Sequence, residues 1–138
     1  MTDIMLSIHP RHADAILDGC KTVEVRTTLP LKIWRDEKIY LYATSPIQKV
    51  IGVVEYDSYM LYRPECEGAD YFDKGYTDRV AGLACISREE LIAYLGTREY
   101  VYLWHIKAPH RFPIPESLEK YGLARPPQSY QYLGGGIE

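Results

Sequence analysis

The chain lacks several features that would assign it to a protein class at once. Its 138 residues include only three cysteines, Cys20, Cys66 and Cys85, and no two of them form a C-x-x-C pair. An odd number of cysteines without such a pair argues against a disulfide framework and against a structural zinc cluster. We therefore expect reduced thiols, no bound metal and no cofactor.

Long apolar runs and an excess of basic residues are also missing. No stretch reaches the roughly 20 apolar residues of a membrane-spanning helix, and residues 1–4 do not open a signal peptide. We expect a soluble cytoplasmic protein without a membrane partner. Sixteen lysines and arginines against 19 aspartates and glutamates give a net charge of −3. This balance argues against nonspecific duplex binding, so any nucleic acid must be bound locally.

Phenylalanine is scarce and tyrosine is abundant, with 2 and 13 residues respectively. Tyrosine rings can stack and can also form hydrogen bonds. On the strand predicted for residues 38–44, alternate apolar residues form a core face, and the opposite face carries Tyr40, Tyr42 and Thr44. That second face is either a stacking surface or the cover of a barrel seam.

A short helix is predicted before the most informative part of the chain. Pro10 suits a first helical turn, Ala13, Ile16 and Leu17 recur at helical spacing, and Gly19 offers a left-handed end. Apolar and polar residues then alternate, which predicts a strand. The turn between the two elements is short, so we expect their adjoining side chains to lie close together.

Three charged residues, Lys21, Glu24 and Arg26, occupy that turn and strand. Glu24 and Arg26 are two positions apart and therefore share a strand face, with Lys21 at its start. A lysine beside a carboxylate can orient a proton transfer or polarise a carbonyl, and an arginine fork binds phosphate or carboxylate oxygens. The set predicts a site for an anionic or carbonyl-bearing ligand. The alternative is a surface ion pair on an edge strand.

The chain carries motifs at residues 7–10, 19–26, 42–46, 51–52 and 125–133, and their order makes it resemble the ASCH family of the PUA-like superfamily. That family reads Ser-Ile-x-Pro, a short helix and Gly-x-Lys-x-x-Glu-x-Arg, which residues 7–10 and 19–26 match. The likeness continues through residues 42–46, 51–52 and 125–133 and covers nearly the whole chain. It implies an α+β fold, namely a small mixed PUA-like β-barrel flanked by short helices. We expect one domain over residues 1–133 and a flexible tail over residues 134–138.

The resemblance also implies an RNA-related function. The leading expectation is that RNA, or a modified nucleoside derived from it, binds in a cleft around the G-x-K-x-x-E-x-R turn. The ligand-binding residues that the resemblance implies are His9, Lys21, Glu24, Arg26, Tyr42, Thr44, Gln128 and Ser129. For Gln128 and Ser129, a C-terminal staple across the barrel is an equally good interpretation.

An enzyme is the main alternative. Some ASCH proteins resemble amidohydrolases of N4-acetylcytidine, and others resemble ribonucleases. The amidohydrolases have a threonine where this chain has Glu24, so catalysis here would use Lys21 and Glu24 as an acid-base pair, with Thr22 displaced from the matching position. The downstream glutamate of that arrangement has three candidates, Glu55, Glu65 and Glu67. A further alternative is a non-catalytic regulatory domain that binds a protein partner through its tyrosines.

The rest of the chain predicts short strands and helices. Residues 50–56 form a central strand with Gly52 as a candidate bulge, and residues 63–75 form an insertion beside a pocket. A capping box from Ser87 to Glu90 opens a helix that Gly96 ends, so Glu90 is interpreted as structural. A strand over residues 100–106 leads through a proline-directed extended path to a short helix over residues 117–121. His9 and His12 lie three apart, but no third ligand supports a metal site.

Overall fold

The computed structural model describes residues 2–63 and 75–134. The elements in chain order are β1 (Ile4–Ile8), α1 (Pro10–Leu17), β2 (Val23–Arg26), β3 (Lys38–Ala43), β4 (Lys49–Tyr62), α2 (Tyr76–Ala84), α3 (Arg88–Leu95), β5 (Val101–Glu116), a 3₁₀-helix (Leu118–Tyr121) and β6 (Tyr130–Tyr132).

The six strands form one curled mixed sheet in the order β2-β5-β4-β3-β1-β6. Only β1 and β3 pair in parallel, and the other neighbours are antiparallel. The sheet curls so that its two edges approach each other. The centroid of the Trp104 ring on β5, the neighbour of β2, lies 5.9 Å from that of the Tyr130 ring on β6. This curled half-barrel with short helices confirms the predicted α+β fold class.

The main hydrophobic core lies between one face of the sheet and α1. Alternate residues of β1 and β3 fill it, as period-two patterns require, and α1 contributes Ala13, Ile16 and Leu17. Gly52 of β4 permits the close approach of α1, because a Cβ atom there would lie 2.6 Å from the His110 carbonyl oxygen and from Leu17 Cδ2. The pairing of β4 with β5 shifts register beside Gly52, which confirms the predicted irregularity.

Two further hydrophobic clusters cover the rest of the sheet. Helices α2 and α3 pack on the face of β2 and β5 that carries Val23, Val25 and Leu103. The third cluster joins β1, β3 and β4 to the segment after the 3₁₀-helix, and Tyr42 lies in it with Leu123. Hence the face that the sequence left open as a stacking surface is covered at Tyr42.

Several element predictions are confirmed. Helix α1 ends where Gly19 adopts a φ of +85°, and Ser87 and Glu90 form both hydrogen bonds of the capping box. The short helix near residue 118 is a 3₁₀-helix. The strand predicted to end at residue 106 was too short, because β5 continues to Glu116. Proline keeps the chain extended there. The pairing with β4 shifts register at Pro109 and again at Pro113 and Pro115, which have no N–H group to donate.

One helix was not expected, and some predictions concern residues that the structure does not describe. Helix α2 was not predicted from the sequence. The proposed insertion lies mostly outside the described residues, as do Cys66 and the tail residues 135–138. The limits of the domain stay a prediction. In the part of the chain that the structure describes, no helix is both long enough and apolar enough to cross a membrane.

Candidate functional site

The turn after α1 aims Lys21 into the protein. Gly19 N–H donates to the Ile16 carbonyl, and the N–H groups of Cys20 and Lys21 both donate to the Ala15 carbonyl at 3.0 Å. This closes the helix and reverses the chain within a few residues. The Lys21 side chain therefore points toward the end of α2, where its Nζ donates to the Ala84 carbonyl at 2.6 Å.

Lys21 is a buried cation, with a side-chain exposure of 3%. Burial disfavours the charged form and lowers its pKa below the usual lysine value, while the Glu24 carboxylate opposes this shift. Nζ lies 3.5 Å from Glu24 Oε1, a longer contact than the one to Ala84. An ammonium has three N–H donors, so the short contact to Ala84 leaves donor capacity for a ligand.

Arg26 holds Glu24 and ties two other segments to β2. Its Nε donates to Glu24 Oε2 at 2.6 Å, Nη1 donates to Ser129 Oγ at 3.2 Å, and Nη2 donates to the Ser7 carbonyl at 3.0 Å. The sequence left two roles open for Arg26, holding Glu24 or binding phosphate. The geometry supports the first role, and it leaves Glu24 Oε1 as the oxygen that can meet a ligand.

The closing motif returns beside this network. Ser7 Oγ donates to the Pro127 carbonyl at 2.6 Å, and Ser7 N–H donates to the Ser129 carbonyl at 2.8 Å. These bonds fix residues 127–129 against β1, and Gln128 between them lines the adjoining cavity. The geometry therefore contains both the staple contacts and a polar group at the cavity wall.

A cavity of about 310 Å³, named here the Lys21 cavity, opens over these residues. Six residues of the predicted ligand set line it: His9, Lys21, Glu24, Arg26, Thr44 and Gln128. Its other lining residues are Ser7, Ile8, His12, Val25, Ile86, Glu90 and Tyr94. Its volume lies at the lower end of the range of small-molecule sites, about 300 to 1,000 Å³.

Two histidines form the rim on the α1 side. His9 caps the helix, since its Nδ1 accepts from Arg11 N–H at 3.1 Å. The His12 ring lies 6.2 Å from His9, and its Nε2 contacts Arg11 Nη2 at 3.3 Å. A guanidinium can only donate, so this nitrogen accepts and the ring is neutral. Burial, followed by the charge of Lys21, lowers the pKa of His12. Among the described residues, no group of three or more His, Cys, Asp or Glu could hold a metal ion.

Some predicted residues lie elsewhere. Tyr42 is buried in the third hydrophobic cluster and does not line the Lys21 cavity. Thr22 lines a second cavity of about 280 Å³ beside β5, which Lys21 also borders. Of the three candidate glutamates, Glu55 pairs with Lys38 at 3.2 Å and lines neither cavity, while Glu65 and Glu67 lie outside the described residues.

One wall of the cavity was not predicted from the sequence, and it is supplied by α3 and by Ile86, two residues before it. Glu90 completes the capping box but also accepts from Arg11 Nη2 at 2.6 Å and lines the cavity with Tyr94 and Ile86. Residues four positions apart share a helix face, so the Glu90 and Tyr94 spacing carried a signal. Nothing in the sequence indicated that this face meets α1.

Comparisons with solved structures identify the fold. A crystal structure of ASCH from Zymomonas mobilis matches with a TM-score of 0.80 and 24% sequence identity, covering 97% of this chain and 89% of that chain. A structure of a Ser-to-Ala variant of that protein matches with a TM-score of 0.78 at 23% identity, covering 96% and 89%. The predicted resemblance to the ASCH family is thereby confirmed at the level of the fold.

The relatives found by sequence differ in how much of this chain they match and how closely. An ASCH domain-containing ribonuclease of Zymomonas mobilis is 43% identical over 58 residues, 38% of each chain. The large ribosomal subunit protein uL22 of Ureaplasma parvum is 26% identical over 132 residues, which is 94% of this chain and 39% of the relative. The chain thus spans about two fifths of the length of these curated relatives. No family model matches the chain.

Proposed function

We propose, from the premise that this chain has the ASCH fold, that the Lys21 cavity binds a nucleotide of RNA or a nucleoside derived from RNA. One observation carries the proposal: Lys21 and Glu24, with side-chain exposures of only 3% and 7%, both face this cavity. Buried charges are costly unless they are paired or used, and both of these groups keep an atom that can meet a ligand.

The chemistry of the cavity walls fits a nucleoside. Lys21 Nζ offers N–H donors for a carbonyl or phosphate oxygen, and Glu24 Oε1 offers an acceptor for a base amine or a ribose hydroxyl. Thr44 and Gln128 add polar groups that can both donate and accept. Ile86 and Tyr94 supply apolar and aromatic surface for a base.

The charge of the chain limits the ligand to a small or unpaired one. The net charge of −3 disfavours the many phosphate contacts of duplex binding. A single unpaired nucleotide needs only a few oriented donors and a stacking surface. The relative named a ribonuclease supports RNA as the ligand class to test first.

Calorimetry at low salt tests the proposal with cytidine, its monophosphate and a short single-stranded RNA. Lys21→Met keeps the aliphatic stem and removes the charge, and we expect at least roughly tenfold weaker binding, because a hydrogen bond to a charged group contributes about 1.5 to 3 kcal/mol. Lys120→Met, at an exposed lysine of the 3₁₀-helix, is the matched control. Wild-type protein that binds none of these ligands, or equal binding by both variants, contradicts the proposal.

A second candidate function is RNA cleavage, and the position of His12 favours it. The ring lines the Lys21 cavity, and its lowered pKa keeps the imidazole neutral at pH 7. A neutral imidazole can accept a proton from a ribose 2′-hydroxyl as that oxygen attacks the adjacent phosphorus. The P–O5′ bond then breaks, which leaves a 2′,3′-cyclic phosphate and a 5′-oxygen that takes a proton from water, and Lys21 would face the phosphate charge. The substrate would have to displace Arg11 from His12 Nε2. The amidohydrolase alternative lacks the threonine of that arrangement, because Glu24 stands at the matching position and Thr22 lines the second cavity.

Single-stranded RNA incubated with the protein and resolved on denaturing gels tests cleavage. We expect His12→Gln to abolish cleavage while RNA affinity stays within about threefold of wild type, since a lost general base costs roughly 100-fold or more in rate. His110→Gln, at an exposed histidine of β5 that does not line the cavity, is the control. Cleavage that survives in His12→Gln overturns this second candidate and leaves the binding proposal intact.

A further inference from the structure

Three tyrosines, Tyr59, Tyr100 and Tyr102, lie beyond the Lys21 cavity and form what we call the tyrosine platform. Tyr102 of β5 pairs in register with Arg26 of β2, and Tyr59 of β4 pairs with Trp104 of β5. Directly paired residues of antiparallel strands point to the same face of a sheet. Tyr59 and Tyr102 therefore point to the same side of the sheet as Arg26, and Trp104 between the strands is buried.

The platform is built from rings that meet by their edges. The Tyr59 and Tyr102 centroids lie 6.1 Å apart with an interplanar angle of 61°, and those of Tyr100 and Tyr102 lie 5.6 Å apart at 88°. In such edge-to-face pairs, neither ring is stacked parallel on the other. Tyr59 remains 50% exposed. A large aromatic side chain so exposed beside two others offers a flat surface to a partner.

The charges around the platform favour an anionic partner. The Arg63 guanidinium lies over the Tyr100 ring, with Cζ 4.9 Å from its centroid. At the inner end, Arg26 is the neighbour of Tyr102 on β2, but its guanidinium is held by Glu24, Ser129 and Ser7. Because the Arg63 cation lies over one of the tyrosine rings, a polymer that alternates flat bases with phosphate groups matches both the rings and the charge.

The dimensions of the sheet agree with a single RNA strand that continues from the cavity to the platform. Neighbouring strands lie about 4.8 Å apart, so β2 and β4 are separated by roughly 10 Å across β5. This span equals the rise of about three stacked nucleotides at 3.4 Å each. One RNA strand could thus place one nucleotide in the Lys21 cavity and the adjacent nucleotides over the platform.

We infer that the tyrosine platform binds the bases of single-stranded RNA next to the nucleotide held in the Lys21 cavity. The inference rests on the proposed function, and it extends the ligand from one nucleotide to a longer single strand of RNA. Base stacking on tyrosine tolerates every base, so the platform contributes affinity without strong sequence preference. A duplex buries its base faces and cannot use this surface.

Affinity as a function of RNA length tests the inference. Titrations use cytidine monophosphate and a single-stranded RNA hexamer on wild type, Tyr59→Ala, Tyr59→Phe and Lys21→Met. We expect Tyr59→Ala to bind the hexamer about tenfold more weakly and the mononucleotide equally well, because it loses one stacking surface. Tyr59→Phe keeps the ring and should bind both ligands as wild type does. Hexamers with 2-aminopurine at successive positions report by fluorescence quenching which base stacks, and Tyr59→Ala should relieve that quenching.

The outcomes separate this inference from the proposed function. Hexamer affinity that is unchanged in Tyr59→Ala overturns the platform, even if Lys21→Met abolishes mononucleotide binding and so supports the cavity. Hexamer binding that Tyr59→Ala weakens and Lys21→Met leaves unchanged supports base stacking on the platform, but it overturns the cavity and with it the placement of the platform next to a bound nucleotide. Wild-type protein that binds neither ligand overturns both.

Discussion

Two clusters of three charged residues differ more in their burial than in the distances between their charged atoms. In the first, Glu24 lies 2.6 Å from Arg26 and 3.5 Å from Lys21, with side-chain exposures between 3% and 17%. In the second, Arg111 of β5 lies 3.1 Å from both Asp14 and Asp18, with exposures between 45% and 61%. A list of contact distances would not separate a site from a surface ion pair.

The difference in burial gives the two clusters different consequences. Water and salt screen the exposed pairs, so their contribution to stability is small. The buried charges have lost their hydration and depend on the protein for every hydrogen bond. Lys21 in addition borders a cavity, so its remaining donors can be satisfied by a ligand. Burial combined with unused donors therefore marks the first cluster as the candidate site.

The largest expected effect is the loss of stability in Arg26→Met. The substitution removes the 2.6 Å partner of buried Glu24 and both links from β2 to Ser129 and Ser7. Breaking a buried pair costs about 3 kcal/mol or more in the free energy of unfolding. Urea denaturation measures this change, and Arg111→Met is the control for the exposed cluster. If the two variants lose equal stability, the contrast between the clusters is wrong.

The elements around the first cluster were predictable because local chemistry sets them. Position 19 favours glycine because its φ is +85°. The reciprocal hydrogen bonds of Ser87 and Glu90 start α3. The alternation of Val23 with Glu24 places Val23 on the core face of β2 and Glu24 on the cavity face, while Val25 belongs to the core cluster and also borders the cavity. For these features, the residues that cause the structure are adjacent in the sequence.

The parts that the sequence did not reveal depend on distant contacts. Tyr42 has the same alternating pattern as an exposed strand residue, but the segment after the 3₁₀-helix covers it through Leu123. Tyr94 looks like a surface residue of α3 and becomes a wall of the cavity only because α3 packs near α1. Period-two and helical spacing describe which residues share a face, and they carry no information about what that face meets.

A smaller effect is expected from acid. Because burial and the Lys21 charge lower the pKa of His12 in the folded protein, the unfolded chain binds a proton there first as the pH falls. Protonation then favours unfolding, so stability is lost from about pH 6.5, the ordinary histidine pKa, down to the lowered folded value. The groups that act on the ring are Lys21, Glu24, Arg11 and Glu90.

Urea denaturation between pH 7 and pH 5 measures the contribution of His12. The free energy of unfolding of wild type should fall more steeply toward acid than that of His12→Gln, and the difference should stay below the loss in Arg26→Met. Parallel pH curves for the two proteins would mean that the ring is not held neutral by the buried cluster.

The exposed cluster should give a still smaller change. Arg111→Met removes both contacts to α1, and exposed pairs contribute roughly 0.2 to 1 kcal/mol each before salt screens them. We expect a loss of about 1 kcal/mol at low ionic strength that shrinks further in 0.5 M salt, where the Debye length is a few ångströms. A large loss that salt does not reduce would show that this cluster behaves like a buried one.

The smallest expected change in stability separates the two roles of the closing motif. Gln128 lines the Lys21 cavity, whereas the staple contacts are made by the Ser7 hydroxyl and by the backbone on either side of Gln128. Gln128→Ala keeps those bonds, so the melting temperature should stay within about 1 °C of wild type, the range of a near-neutral surface change. Nucleotide affinity should fall about fivefold, as for one neutral hydrogen bond. Ser7→Ala, which removes the bond to Pro127, is the matched variant and should lower the melting temperature. A marked loss of stability in Gln128→Ala with unchanged affinity would make this residue part of the staple.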